Sequence, residues 1–218
     1  MGTTRNILVG AAAVYLSTAT ATSGLPAAVL PANQGATGSS YTTQLSADAN
    51  WTDVGFTTNG LELSYEPNYG EVAVDQMLDA ARLFKQSMKV MVKTEFAEAT
   101  LANLFIVMNQ ASGYAAAGDP RASDGGAVSN TITGVELQGG SLGDYPVERS
   151  LAAVGQAPRP ASAAQSAERI YYAARVMSIS TSAHGMKRDN STTFPVEFRL
   201  LPVASTSNAY GKIIDRSF

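Results

Sequence analysis

Residues 86–110, QSMKVMVKTEFAEATLANLFIVMNQ, decide the fold. In the first half Met88, Val90, Val92, Thr94 and Phe96 fall on one face of an extended chain. Lys89, Met91, Lys93 and Glu95 fall on the other, so the segment has the two-residue period of a half-buried strand. From about Glu98 the period lengthens. Leu101, Leu104, Phe105 and Met108 follow the i, i+3, i+4, i+7 spacing that gathers apolar side chains on one stripe of a helix, expected over about 98–110. No turn signal separates the two halves. A strand feeding directly into a short amphipathic helix is the expected central unit, and it is the only convincing helix in the sequence.

Toward the N-terminus, Asn59-Gly60 is a turn signal, after which Leu61, Leu63 and Tyr65 alternate with Glu62, Ser64 and Glu66. That predicts a strand with one buried and one acidic face. Residues 67–70 interrupt it, and Val72, Val74 and Gln76 resume the alternation; residues 77–85 fit either a loop or a helical turn. Residues 17–50 carry little periodicity and much Thr, Ser, Ala, Gly and Pro, the profile of a loop that is functional or ordered by contacts outside the domain. Before it, residues 5–16 are apolar on both parities, with Ile7, Val9 and Tyr15 against Leu8, Val14 and Leu16. A strand apolar on both sides must be covered on both sides, and in an N-terminal arm a neighbouring subunit could supply that cover.

Toward the C-terminus, residues 111–130 have loop chemistry in Gly113, Gly118, Asp119-Pro120, Asp124 and Gly125-Gly126. Strand-like runs follow at 131–137 and 145–154, separated by Gly139-Gly140, and residues 155–167 are irregular. Residues 168–181 form a long strand apolar on both faces, and 182–190 a turn. Phe194, Val196, Phe198 and Leu200 then alternate with Pro195, Glu197 and Arg199; Pro195 cannot donate to a ladder, which places this strand at or next to an edge. The closing NAYGKIIDRSF has too many apolar residues for a frayed tail. These runs amount to seven to nine strands and one helix. They predict a mainly β chain, an antiparallel β-sandwich or partly closed barrel with one flanking α-helix. A single domain over 1–218 is expected, with an N-terminal strand and long loop in 1–50, the sandwich in 51–201 and a C-terminal arm in 202–218.

Composition narrows the partners. Charged residues are 15% of the 218, against roughly 25% in ordinary soluble domains, while 45% are hydrophobic. Such a weakly charged surface suits faces covered by neighbours, although an extracellular β-protein rich in Ser and Thr would share the composition. The net charge of −3 and the lack of a basic cluster, Lys187 and Arg188 being merely a pair, argue against binding nucleic acid through its phosphates. With no cysteine and one histidine, neither a thiolate site nor an all-histidine metal site can form within one chain. No run reaches the length of a membrane helix. ILVGAAAVYL at 7–16, after Arg5 and before STATATSG, imitates a secretory leader, but the expectation is that it belongs to the folded protein. Gly2 does not open a myristoylation motif, because Asn6 stands where Ser or Thr is required.

Catalytic constellations are not apparent. His184, between Ser182-Ala183 and Gly185-Met186, reads as a surface histidine in a turn, and nothing resembles a nucleophile elbow. Glu62, Glu66, Glu71, Asp75 and Asp79 could supply a glycosidase pair or a hard-cation site, but the plainer reading is the solvated faces of two strands. Gly125-Gly126 and Gly139-Gly140 lack the following helix and lysine of a phosphate loop. Asn190-Ser191-Thr192 matches a glycosylation triplet, a pattern common by chance. No enzyme activity, cofactor or metal is therefore expected, and two-faced strands with long loops point to assembly.

Three segments carry a resemblance: LELSYEPNYGEVAVDQ at 61–76, KVMVKTEFAEATLANLFIVM at 89–108 and TTFPVEFRLLPVASTSNAYGKIID at 192–215. Their ordered set resembles the major tail tube proteins of long-tailed, siphovirus-like bacteriophages, across most of the chain; 17–50, 111–130 and 155–167 are least covered. The resemblance implies a β-sandwich with one flanking helix and extended N- and C-terminal arms. Hexameric rings of such subunits stack into the tail tube, a conduit for genome delivery. The implied partners are further copies of the chain, the tape-measure protein and the tail terminator and tip proteins. DNA passes through the lumen without specific binding, and no membrane is involved. The implied location is the virion tail, after assembly in the host cytoplasm. The family has no catalytic motif to carry over. The segment between Tyr65 and Lys85 is the expected ring-to-ring contact, through Tyr69, Glu71, Asp75, Asp79 and Arg82. The alternative reading is a secreted carbohydrate-binding or adhesive β-sandwich.

Overall fold

A computed structural model describes residues 10–20, 25–31, 39–76, 78–109, 142–143, 146–158, 166–179, 185, 191–204 and 209–217. The strand expected at 131–137, the loop at 111–130, the two glycine pairs, His184, Lys187, Arg188 and Asn190 lie outside the described residues, as do the first nine. The described chain is mainly β. Its elements are β1 (Ala13–Ser17), α1 (Tyr41–Ala47), β2 (Trp51–Asp53), β3 (Thr57–Val72), β4 (Arg82–Phe96), α2 (Leu101–Val107), β5 (Arg149–Gln156), β6 (Ala167–Ser178), β7 (Phe194–Leu200) and β8 (Gly211–Ser217). All eight strands belong to one antiparallel sheet, in the order β2-β1-β5-β6-β7-β4-β3, with β8 paired to β6. The sheet is not closed.

The strand half of the central unit has the expected facing from Val90 to Phe96: Val90, Val92, Thr94 and Phe96 are buried and Lys93 is exposed. Met91, expected outward, is buried as well. Phe96 meets the Phe198 ring at 6.4 Å between centroids, and around this pair gather Val14, Leu16, Leu151, Val176 and Val196. The helix half is shorter than expected and turned. Of the predicted stripe, Phe105 is buried and Leu104 packs partly buried against the core, but Leu101 is exposed, and α2 also buries Ile106, Val107 and Asn103. The rotation has a polar cause: Asn103 Nδ2 donates to the carbonyls of Val54 at 2.8 Å and Glu98 at 3.0 Å, which no leucine could do. Thr100 caps the helix, its Oγ1 accepting from Asn103 N.

The second helix stands where the sequence reads as loop. Ser40 caps α1 and accepts from Thr43 N, and Tyr41 and Leu45, one turn apart, are buried. They pack with Trp51, Tyr15, Val154 and Ile170 on the sheet face opposite the main core. The cover that a neighbouring subunit could have supplied therefore comes, over Ala13–Ser17, from the chain itself.

Three local signals change meaning. Asn59-Gly60 does not turn the chain; it marks a register shift inside β3 between Thr57 and Leu61, with Gly60 at φ +68°. Residues 67–70 also stay in β3, with a second shift between Asn68 and Tyr69, and because β3 is an edge strand among the described residues Pro67 is tolerated there. Pro195 lies in an interior strand; among the described residues its partner is Glu95 of β4, while contact with the β6 side reaches Glu197, whose carbonyl accepts from Ile179 N. The C-terminal segment expected as an arm forms β8, along the whole lower half of β6.

Candidate functional site

β7 and β8 lie end to end along the same side of β6. β7 pairs Leu200 with Val176, Leu201 N donates to Arg175 O, Ala174 N donates to Tyr210 O, and β8 continues from Gly211 opposite Ala173 to Ser217 opposite Ala167. Between them the chain leaves the sheet at Pro202 and returns at Ala209. β4, however, pairs with β7 only as far as Met91 opposite Arg199. Beyond that point β4 is paired with β3 alone, and β8 with β6 alone, among the described residues. The sheet forks into a β3–β4 limb and a β6–β8 limb.

Between the limbs lies a cavity of about 460 Å³, walled by Leu61, Leu63, Met88 and Val90 on one side and by Tyr171, Tyr210, Gly211 and Ile213 on the other. Cross-strand partners share a face, so the pairs Leu63–Val92 and Tyr65–Val90 present to the cleft. The face of β3 that the sequence marks as buried is thus uncovered: Leu63 is 42% and Tyr65 59% exposed. Gly211 admits β8 to this position, because a Cβ there would fall 1.9 Å from the Tyr172 carbonyl oxygen. The charged lining residues are Lys85 and Lys212, with no carboxylate. Lys85 Nζ donates to Tyr65 Oη at 3.3 Å and lies 5.5 Å from that ring's centroid.

Past the cleft the β3–β4 limb continues as an exposed arm, with Tyr69 opposite Lys85, Glu71 opposite Leu83 and Val72 opposite Arg82. The expected contact residues are all exposed and all on this arm, but they are divided. Tyr69 and Glu71 share the cleft-side face, Arg82 stands on the other, and Asp75 and Asp79 lie in the connection between the strands. The sequence reading missed their apolar neighbours Val72, Leu78, Leu83 and Phe84, which are also exposed. The signal was the Leu83-Phe84 pair, which puts one large side chain on each face of a strand.

The remaining carboxylates do not converge. Glu62 stands opposite Lys93 and Glu66 opposite Lys89 on the outer face of the limb. Among the described residues no three His, Asp or Glu side chains are grouped to hold a metal ion. No helix among them is long and apolar enough to cross a membrane.

Buried and partly buried polar clusters, with one exposed pair, fasten the closed part of the sheet. The Glu168 carboxylate accepts from Tyr41 N at 2.9 and 3.1 Å and lies 3.0 Å from Arg216 Nε, at an angle that makes this an ion pair, not a well-directed hydrogen bond. Arg216 also donates to Ser39 O at 2.7 Å and stacks 5.5 Å from the Tyr41 ring. Burial pushes the Tyr41 phenol up to about 12, against the opposing pull of Arg216, and raises Tyr15 and Tyr172 as well. Arg149 donates to the carbonyls of Ser17 and Thr18, and burial lowers its pKa. Arg175 grips Glu148 through two bonds of 2.7 Å, and the Arg169 guanidinium holds the Asp215 carboxyl below the usual carboxylate range. These pairs tie β8, β6 and α1 together; among the described residues no ion pair crosses the cleft or lies within the arm. No model of a known protein family matches this chain, and no curated protein matches it.

Proposed function

We propose that this chain is a structural protein that acts by self-assembly, as the major tail tube protein of a long-tailed bacteriophage. One observation carries the reading: among the described residues a fork in the sheet leaves an apolar cleft and two strand edges uncovered beside an exposed arm. An isolated soluble domain has no use for such a surface, and unpaired edges invite pairing with other chains. A head-to-tail contact whose rotation closes makes a ring and satisfies the edges at once. In this reading neighbouring copies complete the open sheet to the β-sandwich and continuous barrel of a hexameric ring, and rings stack through the arm bearing Tyr69, Glu71, Asp75, Asp79 and Arg82. The tube holds the tape-measure protein, ends on terminator and tip proteins and passes DNA. The net charge of −3 fits a lumen that must release phosphates.

Negative-stain electron microscopy of the purified protein tests the proposal. Rings or tubes with a central hole are expected. Monodisperse monomers that bind glycans would instead favour a secreted carbohydrate-binding sandwich, for which Tyr65, Tyr171 and Tyr210 around the cleft are the supporting feature.

A further inference from the structure

Resting on the self-assembly reading, we infer which surfaces meet: the tip of the β3–β4 arm of one copy seats in the sheet-fork cleft of the next. The two surfaces complement each other in both polarity and charge. The described residues of the tip, 71–76 and 78–79, expose Val72, Val74 and Leu78 and carry the carboxylates of Glu71, Asp75 and Asp79, with the single cation Arg82 opposite Val72 at its base. The cleft is apolar, and its charged lining residues are Lys85 and Lys212 with no carboxylate. Neither lysine forms an ion pair among the described residues. Lys85 has only the Tyr65 hydroxyl and the Met88 sulfur as partners, so its ammonium retains capacity for a carboxylate.

The occupant must come from another copy. The strands that wall the cleft are the same strands that carry the tip away from it. From the Tyr65–Val90 pair to the Val72–Arg82 pair the ladder runs seven residues, a rise of about 23 Å. A paired ribbon of that length cannot fold back onto its own base without breaking its hydrogen bonds. Tip and cleft are different surfaces of the chain, so the contact is heterologous and propagates from copy to copy. Apolar burial supplies the adhesion, and the opposite charges fix which end of the arm enters and disfavour tip-to-tip pairing.

The chain has no cysteine, so single thiols report the contact without background. Leu78→Cys at the tip and Ile213→Cys on the cleft wall are each made in the full chain, mixed in equal amounts and oxidised mildly. The 78–213 disulfide is expected in excess over the 78–78 and 213–213 products together. Assembly that yields mainly 78–78 or 213–213 disulfides, or none, overturns the arm-in-cleft contact and leaves self-assembly standing; monomeric protein overturns both. A charge exchange gives a second readout. Asp75→Lys/Asp79→Lys and Lys85→Glu/Lys212→Glu, each natively folded by circular dichroism, are expected to lose assembly alone and regain it when mixed. Assembly of either variant alone, or failure of the mixture, overturns the contact. So does an apolar small molecule retained in the cleft of assembled protein by native mass spectrometry.

Discussion

The two halves of this sheet are built from similar alternating sequences and end in opposite states. Around β1, β5 and the first part of β6 both faces are covered within one chain: Val14, Leu16 and Leu151 face the main core, and Tyr15, Val154 and Ile170 face α1. On the forked side, Leu63, Tyr65, Leu83 and Ile213 alternate just as regularly and remain between 42% and 61% exposed. Alternation states which side chains require cover; it does not say which chain supplies it. The difference supports a division in which the closed half stabilises the folded chain and, under the proposed self-assembly, the forked half meets other copies.

The sharpest way to break that division is at its centre of packing. Phe96→Ala removes a fully buried ring and is expected to cost about 3–5 kcal/mol in urea unfolding. A loss under 1 kcal/mol would mean that the closed half is not the stabilising one. Glu168→Gln comes next: it strips the charge of a buried carboxylate that faces the partly buried Arg216, and the expected cost is about 3 kcal/mol. If urea unfolding finds the variant within 0.5 kcal/mol of wild type, about the spread of surface substitutions, then water already reaches this cluster.

The tyrosines of the closed half predict a smaller, pH-dependent effect. Burial raises Tyr41, Tyr15 and Tyr172, so the folded chain keeps these phenols protonated after the unfolded chain has begun to ionise near 10. Stability from this source is complete below about pH 10 and declines as pH rises toward the folded value of Tyr41, about 12. Thermal unfolding should track that decline, and Tyr41→Phe should make it shallower; an unchanged slope would contradict the assignment. The smallest effect on stability belongs to the arm. Asp75→Lys/Asp79→Lys should leave urea unfolding within about 0.5 kcal/mol of wild type while abolishing assembly. Normal rings or tubes from this variant would remove the arm from the account.

Much of the fold is legible in the residues. Phe194 to Leu200 form β7 as their alternation predicts, and Val90, Val92, Thr94 and Phe96 are buried as read, although Met91 is buried too. The missed helix α1 has seven residues, room for a single Tyr41–Leu45 repeat, and its stability comes from packing on Tyr15 and Trp51. Asn59-Gly60 is misread because a glycine at positive φ serves a register shift as well as a turn. In the candidate site the five arm residues are correctly placed outside the core. Their apolar companions and the cleft are not legible, since the fork arises where β7 ends and β8 follows β6, a matter of strand lengths and not of side-chain pattern.

Hydrogen exchange measured on dispersed and on assembled protein tests the division most directly. Peptides covering 61–65, 71–79, 82–90 and 211–217 are expected to gain protection on assembly, while those covering β1, β5 and α1 exchange slowly in both states. Assembly that leaves the cleft and arm as exchangeable as in the dispersed chain, or protects the α1 face instead, would contradict the account.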